Sequence, residues 1–179
     1  MRQSAEQPRF DQLLAAAQRS AVHLEMRDGY AVNDEAEDYR RWQETGERDA
    51  DPDSAYWAPW VDMVRQATAR GVVVRRARII SEPVSDYIRY EHAGTTVNVV
   101  AGEDVRWLPR RRAADLMLPG ADLWIFDGEQ VLLNHFTGSG EWATPPLELR
   151  TEPDLVKACV DAFAAVWERA VPHLQYEIR

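Results

Sequence analysis

The chain has 179 residues, of which 45% are hydrophobic and 28% are charged, and its formal net charge is −9. These are the totals of an ordinary globular protein, and the negative charge counts against general binding to nucleic acids or anionic membranes. The one cysteine, Cys159, excludes an internal disulfide, and the lack of a signal-like or membrane-length apolar run predicts a cytoplasmic protein without membrane association.

We expect residues 1–179 to form a single domain whose first 71 residues are mainly helical, with one short hairpin. The elements predicted there are a helix from Phe10 to Ala17, a strand from Val22 to Met26, a return strand from Tyr30 to Val32, a helix from Asn33 to Gly46 and a helix from Pro59 to Gly71. The Asp28-Gly29 pair is the hairpin signal, and the alternation in the first strand predicts that His23 faces solvent. The charged residues 47–54 show no period and predict a mobile surface loop.

Residues 72–179 form the predicted α/β part. Its predicted elements are a central strand over 72–80, a helix from Pro83 that is interrupted at Gly94 and stops at Gly102, a strand over 105–108, helical turns over 110–116, a hairpin of strands 123–126 and 131–136, a loop over 138–146, a strand over 147–150, and a long amphipathic helix capped by Thr151 and ended by Pro172. Strands that alternate with helices indicate at least one βαβ crossover. The predicted fold class is therefore α+β, a central mixed β-sheet flanked by helices.

No motif for catalysis or metal binding can be recognised. The four histidines are isolated, and the glycine-rich phosphate loops and the G-x-S-x-G elbow are absent. Phospholipase-D-type chemistry needs H-x-K, and Lys157, which is the one lysine, does not follow a histidine at that spacing. Carboxylates that converge on Mg²⁺ remain an alternative, although turns and helix caps explain them as well; they are Asp86, Glu103, Asp104, Asp122 and Asp127. We predict no metal, no cofactor and no assignable catalytic residue, which favours a protein that is not an enzyme.

The most informative stretch is rich in arginine and carboxylates and runs from Arg75 to Asp127. Arg76 and Arg78 share one face of the central strand and need partners, because an unpaired buried charge costs several kcal/mol. Either these charges form a structural network that fixes strand and helix register, or they line a cleft that binds a ligand. The candidate binding residues are Arg78, Glu82, Tyr87, Arg89, Glu91, Glu103, Asp104, Arg106, Arg110, Asp122 and Trp124.

Three sequence blocks in this stretch carry a resemblance. Residues 76–91 read R-x-R-x-x-S-E-P-x-S-x-Y-x-R-x-E, residues 101–110 read A-G-E-D-V-R-x-L-P-R, and residues 118–127 read L-P-x-x-D-x-W-x-F-D. The chain resembles an actinobacterial family of unknown function whose members are often encoded beside helix-turn-helix regulators. The C-terminal half is also similar to sensor domains with a degenerate phospholipase-D-like fold. The first resemblance implies a regulatory role and a helix-turn-helix regulator as partner, and the second implies the topology.

We therefore predict a regulatory or effector module that binds a partner protein or a small anionic ligand through an arginine and carboxylate cleft. The alternative is an enzyme that acts on a phosphate-bearing or nucleotide-type substrate. Such an enzyme would use Glu103, Asp104 or Asp122 as base or metal ligand, with Arg78 or Arg89 as the electrophilic clamp. A nucleic-acid-binding role through the basic run of residues 110–112 is a third hypothesis, and the net charge of −9 counts against it.

Overall fold

The computed structural model describes residues 9–31 and 33–179, except for the side chains of Asn33 and Asp34. Its helices and strands, in chain order, are α1 (Phe10–Ala16), β1 (Ser20–Glu25), α2 (Asn33–Thr45), α3 (Ala58–Ala69), β2 (Val73–Ile80), α4 (Asp86–Ala101), β3 (Asp104–Pro109), β4 (Asp122–Phe126), β5 (Gln130–Phe136), β6 (Trp142–Arg150), α5 (Pro153–Arg169) and β7 (Val171–Pro172). Short 3-10 helices, Arg110–Ala113 and His173–Gln175, follow β3 and β7. Among the helices described, none is both long enough and apolar enough to cross a bilayer.

The strands form one mixed seven-stranded sheet in the order β6-β5-β4-β1-β2-β3-β7. β2 lies parallel to both β1 and β3, whereas the other neighbouring strands are antiparallel. The chain passes through α2 and α3 between β1 and β2, and through α4 between β2 and β3. Such crossovers are what parallel neighbours require. The predicted α+β fold with a central mixed sheet, flanking helices and a βαβ crossover is therefore confirmed.

Helices cover both faces of the sheet. α5 packs on one face, against apolar strand residues that include Leu24, Ala77 and Ile125. α1, α3 and α4 pack on the other face, in a cluster that includes Val74 and Phe126. Burial of both faces has a consequence for the polar side chains that alternate with these apolar ones. They are enclosed between sheet and helices instead of facing water.

Local sequence sets where the crossover helix α4 begins and ends. The Ser85 hydroxyl accepts a hydrogen bond from the Ile88 amide at 3.2 Å, which caps the first turn. Gly102 follows the helix with φ 108°, a left-handed conformation in which glycine is least strained. The predicted start at Pro83 and the predicted interruption at Gly94 are wrong, because α4 is one continuous helix that starts later.

The hairpin predicted at Asp28-Gly29 is wrong. Tyr30 and Ala31 form no strand, and Val32 lies outside the described residues. β1 pairs instead with β2 and β4, which are distant in the sequence. Asp28 accepts a hydrogen bond at 2.6 Å from the backbone amide of the residue that follows β2. The turn signal is a local preference, and the burial that β1 gains at the centre of the sheet outweighs it.

Two predictions for the C-terminal part are also wrong. The segment predicted as a loop, residues 138–146, contains the first half of β6. Pro145 and Pro146 lie within this strand, which is possible because β6 is an edge strand and its pairing with β5 is irregular between Trp142 and Leu147. Thr151 does not cap α5, because Glu152 occupies that position and makes no capping hydrogen bond through its side chain.

Candidate functional site

A cleft of about 660 Å³ lies between the sheet and helices α1, α3 and α4. A smaller chamber of about 130 Å³ shares part of its lining and extends it toward Tyr30 and Asp122. Polar side chains of β1, β2, β5 and α4 form the floor. The walls are aromatic, with the rings of Phe10, Tyr56, Trp57, Trp60, Trp124 and Trp142. This volume, with mostly apolar walls and a few polar groups, is typical of pockets that hold small molecules.

The floor contains a row of alternating charges, here called the ion-pair row, which consists of Glu103, Arg76, Glu25, Arg78 and Glu91. Arg76 Nε lies 2.8 Å from Glu103 Oε1, and its Nη1 lies 3.0 Å from Glu25 Oε1. Arg78 Nε lies 2.9 Å from Glu25 Oε2, and its Nη2 lies 2.5 Å from Glu91 Oε2. The parallel register of β1 and β2, which sets Glu25 beside Arg78, therefore builds the centre of the row.

Burial and neighbouring charges shift the pKa of several groups in the cleft. Burial opposes the charges of Arg76 and Arg78, but the adjacent carboxylates more than offset it and raise the pKa of both. Burial, followed by the charge of Glu91, raises the pKa of Glu35 to about 7. Burial likewise raises the pKa of Asp122 to about 6, although the hydrogen bonds that this carboxyl group accepts lower its pKa. Both arginines are therefore charged at neutral pH, whereas Glu35 titrates close to neutrality.

His23 lies inside the cleft and is 7% exposed, so the prediction that it faces solvent is wrong. Its ring stacks on Trp124, with the ring centres 4.2 Å apart. Burial, followed by the charges of Arg76 and Arg78, holds the pKa of His23 well below 6.5, and the ring is neutral. Nδ1 lies 3.2 Å from Glu25 Oε1, yet within the described residues neither ring nitrogen has a partner in hydrogen-bonding geometry.

Asn134 and Trp60 are among the other cleft residues that have a buried polar atom without a hydrogen-bond partner in the part of the chain that the structure describes. Asn134 on β5 is 7% exposed, and its Oδ1 has no partner in the described part of the chain. Trp60 Nε1 also has no hydrogen-bond partner among the described residues. Both residues line the cleft. A buried polar atom left without a partner costs about 1–3 kcal/mol, so native proteins keep few of them. Together with His23, these atoms mark the positions where polar groups of a ligand would be satisfied.

Arg48 closes one side of the cleft. It belongs to the connection between α2 and α3, which is a loop as predicted, but its side chain is only 4% exposed and pairs with Asp38. Its guanidinium carbon lies 3.9 Å from the ring centre of Tyr90 and 4.9 Å from that of Trp57. We call Asp38, Tyr90 and Trp57 the Arg48 cage. Gly94 makes room for it, because a Cβ at that position would lie 2.8 Å from Arg48 Nε.

The structure brings some of the predicted site residues together. Those that line the cleft are Arg78, Tyr87, Glu91, Asp122 and Trp124. Glu103 lies beside them at the end of the ion-pair row and is 2% exposed. The Tyr87 hydroxyl donates to Glu35 Oε2 at 2.5 Å, and Asp122 accepts hydrogen bonds from the Met26 amide at 2.8 Å and from the Tyr30 hydroxyl.

The other predicted site residues lie outside the cleft. Glu82 is exposed and accepts a hydrogen bond from the C-terminal segment at 2.8 Å, and Arg89 is exposed on α4. Asp104 pairs at 3.5 Å with Arg106, whose guanidinium carbon lies 4.1 Å from the ring centre of a tryptophan on α5. Arg110 donates to two backbone carbonyls, at 2.7 Å and 3.2 Å, which ties the ends of β1 and β2 together. The cleft gives no support to a role of these residues in binding.

Several residues of the cleft were not among those predicted from the sequence. They are His23, Glu25, Glu35, Arg48, Trp60, Asn98, Asn134 and Trp142. His23 and Glu25 have the same i, i+2 spacing as Arg76 and Arg78, which is a signal that two strands present paired polar faces. The signal becomes specific only when the register between β1 and β2 is known.

The carboxylates proposed as an Mg²⁺ site do not converge. In residues 9–31 and 33–179, no group of three or more histidine, cysteine or acidic side chains lies close enough to hold a metal ion. Asp127 instead accepts hydrogen bonds from the backbone amides of Gln18, Arg19 and Ser20, the closest at 2.7 Å. Asp86 lies in the first turn of α4, where a negative charge stabilises the helix dipole.

Two of the solved structures to which the chain is similar are a bacterial and an archaeal protein. Nuc, a phospholipase D family member from Salmonella typhimurium, has a TM-score of 0.52 at 13% sequence identity, with 90% of this chain and 86% of that chain covered. This similarity shows the fold alone, and it confirms the predicted phospholipase-D-like topology. TrmBL2, an archaeal chromatin protein, has a TM-score of 0.47 at 14% identity, with 89% of this chain and 47% of that chain covered. The second similarity is too distant to indicate a shared fold.

None of the curated proteins compared with the chain matches it. Residues 8–178 match the model of one protein family, which is described as a domain of unknown function (DUF6879). The match spans all of the secondary-structure elements and every residue of the cleft. The chain therefore belongs to the DUF6879 family.

Proposed function

We propose that this protein is a non-catalytic module that binds a small organic molecule in the cleft between the sheet and helices α1, α3 and α4. The observation that carries the proposal is the combination of a volume of about 660 Å³ with buried polar atoms that lack partners within the described residues. Small-molecule pockets have volumes of about 300–1,000 Å³ and use a few well-placed polar groups to orient the ligand. His23, Trp60 and Asn134 are such groups.

The alternative, an enzyme that acts on a phosphate-bearing substrate, draws support from the fold and from two of its candidates, Asp122 and Arg78, which line the cleft. Glu103, one of its candidate bases, is 2% exposed and already accepts hydrogen bonds from Arg76 and Asn98. The candidates Asp104 and Arg89 lie outside the cleft. A proton acceptor must reach its substrate, and a clamp must have free donors. The arrangement therefore favours binding over catalysis.

A regulatory role with a helix-turn-helix regulator as partner stays a prediction. A large exposed patch formed, for instance, by Trp42, Trp57 or Trp142 would indicate a partner-binding surface. Trp42 and Trp57 are partly buried, whereas Trp142 is 43% exposed. It lies at the cleft and stacks on Phe136 with ring centres 4.3 Å apart. A partner that contacts Trp142 would therefore bind differently when a ligand occupies the cleft. That is one way in which a ligand-binding module acts on a regulator.

The proposal is tested by a thermal-shift screen with amines, carboxylates and uncharged compounds built on the same phenyl and indole rings. Leu147→Trp fills the cleft with a ring without changing its charge, because Leu147 lines the cleft. Leu149→Trp is the matched control, since Leu149 lies on the same strand, is 37% exposed and lies outside the lining. We expect at least one compound to raise the Tm of the wild type and of Leu149→Trp, but not of Leu147→Trp. The proposal is refuted if no compound does so, or if the shift survives in Leu147→Trp.

A further inference from the structure

We propose that the ligand of the cleft is an organic cation, an amine or guanidine carried on a flat apolar body. The inference rests on the proposed function and adds the chemical class of the ligand. It reverses the charge expected from the sequence, which favoured an anionic ligand because of the density of arginines. The reversal follows from the partners that those arginines have in the folded chain.

The arginines of the cleft are already bound by carboxylates. Arg76 and Arg78 each lie between two glutamates of the ion-pair row, and Arg48 pairs with Asp38. An anion would have to displace one of these buried partners and leave a carboxylate without compensation, which is costly. Two carboxyl groups remain in the cleft beyond those that pair with arginine, Glu35 and Asp122. The lining thus has carboxyl groups in excess, and a cation would balance them.

The walls of the cleft suit a cation on a flat body. Trp60 and Trp124 already receive the Arg76 guanidinium, whose carbon lies 5.3 Å and 6.0 Å from their ring centres. Aromatic faces attract cations electrostatically, and tryptophan does so best. The Arg48 cage shows the same chemistry within the protein, because a guanidinium carbon lies 3.9 Å from the ring centre of Tyr90 and pairs with Asp38. A cationic ligand would meet the same combination of rings and carboxylate.

Polar acceptors are available where the cation would lie. Asn134 Oδ1 is buried and has no hydrogen-bond partner in the described residues, and neutral His23 has one acceptor nitrogen that is also without one. Glu35 accepts one hydrogen bond, from the Tyr87 hydroxyl. All of these except Tyr87 line the main cleft. An ammonium or guanidinium group carries only donors, which matches these acceptors, whereas the unpartnered Trp60 Nε1 is a donor and would need an acceptor elsewhere on the ligand.

The protonation of Glu35 predicts how the affinity for a cation depends on pH. The titratable and charged groups that surround it are Tyr87, Tyr90 and Glu91 on α4, Glu25 on β1 and Arg78 on β2, and its pKa is raised to about 7. Ionised Glu35 attracts a cation, whereas the protonated form does not. Affinity for a cation should therefore rise as the pH increases from about 6 to about 8, with release of a proton on binding. An anionic ligand would show the opposite dependence.

The test is isothermal titration calorimetry with phenethylamine, a cation, and phenylacetate, an anion on the same ring. We expect phenethylamine to bind the wild-type protein at least about tenfold more tightly than phenylacetate does. Glu35→Gln should lower the affinity for phenethylamine about tenfold, which corresponds to a difference of about 1.4 kcal/mol in binding free energy. Glutamine keeps the acceptor for Tyr87 and removes only the charge. Glu37→Gln is the matched control, since Glu37 is exposed on the same helix, and it should leave the affinity unchanged.

The outcomes separate this inference from the proposed function. Phenylacetate could bind as tightly as phenethylamine or more tightly, with Leu147→Trp abolishing that binding. This result would refute the inference that the ligand is a cation, and it would still support the proposed function as a binding module. The same conclusion follows if Glu35→Gln and Glu37→Gln bind phenethylamine equally well, or if only uncharged compounds of the thermal-shift panel bind. If no compound of any charge binds, both the inference and the proposed function fail.

Discussion

Gly94→Ala tests whether the Arg48 cage is a packed part of the structure. Gly94 lies inside α4, where alanine is ordinarily the better residue by about 1 kcal/mol. An added Cβ would lie 2.8 Å from Arg48 Nε and 3.1 Å from both Arg48 Nη2 and Trp57 Cζ2. The first distance is too short for non-bonded atoms, so the buried arginine must shift from its position in the cage.

The magnitude follows from the contacts that are lost. Removing one partner of a buried ion pair costs about 3–5 kcal/mol, and the lower end applies because Arg41 and Tyr90 also bind Asp38. The gain of about 1 kcal/mol from the better helix former offsets part of this cost. We therefore expect Gly94→Ala to lower the free energy of unfolding by about 2 kcal/mol, whereas the same substitution in an exposed helix would raise it.

Urea denaturation of the wild type, Gly94→Ala, Arg48→Ala and the double variant measures the coupling between the two positions. In the Arg48→Ala background, Gly94→Ala should cost less, because the two arginine atoms are then absent and the tight contact that remains is the one with Trp57 Cζ2 at 3.1 Å. Ala93→Gly, at the exposed neighbouring position in α4, measures the helix contribution separately. Additive effects of the two substitutions would refute the reasoning, since they would mean that the Cβ and the guanidinium do not compete for the same space.

Three further predictions concern groups outside the cage. Asp127→Asn should lower the free energy of unfolding by about 1–2 kcal/mol in urea denaturation, because Asp127 accepts three backbone amide hydrogen bonds, whereas exposed Glu129→Gln should change it little. Because the pKa of His23 lies well below 6.5 in the folded protein, between that pKa and pH 6.5 the ring takes up a proton on unfolding. The free energy of unfolding of the wild type should therefore fall more steeply than that of His23→Gln as the pH decreases below 6.5. Parallel curves of stability against pH for the two proteins would contradict this. Cys159 is 1% exposed with a raised pKa, so iodoacetamide should label it only when denaturant unfolds the protein.

Much of the fold could be predicted where burial of one face of a helix or strand imposes a regular spacing of apolar residues along the sequence. The stripe of Cys159, Phe163 and Val166 predicts α5, because one face of a helix must be apolar to pack on the sheet. Non-local pairing could not be predicted in the same way. The Asp28-Gly29 pair indicates a chain reversal, but nothing near it in the sequence specifies that β1 pairs with β2 and β4.

The candidate site was predictable to the extent that buried charges need partners. That requirement identifies Arg76 and Arg78 and offers Glu82, Glu91, Glu103 and Asp104 as the nearest partners in the sequence. The structure pairs Glu91 and Glu103 with these arginines, whereas Glu82 and Asp104 have other partners. It does not identify Glu25, because the strand that carries it is placed beside β2 only by the sheet topology. The prediction for His23 was wrong for a related reason. Alternation shows that a strand has two different faces, but it does not show what covers the polar one.

The ion-pair row constrains how this sequence can diverge. Each guanidinium in the row is shared by two carboxylates, and Glu25 is shared by both guanidiniums. Loss of the charge of Arg76 would leave Glu103 without an arginine, and loss of the charge of Arg78 would leave Glu91 without one. The members of these pairs lie on β2, α4 and the turn before β3. A substitution of either arginine is therefore tolerated only when the glutamate at its end of the row changes with it. Among homologous chains, position 76 should vary together with position 103, and position 78 together with position 91.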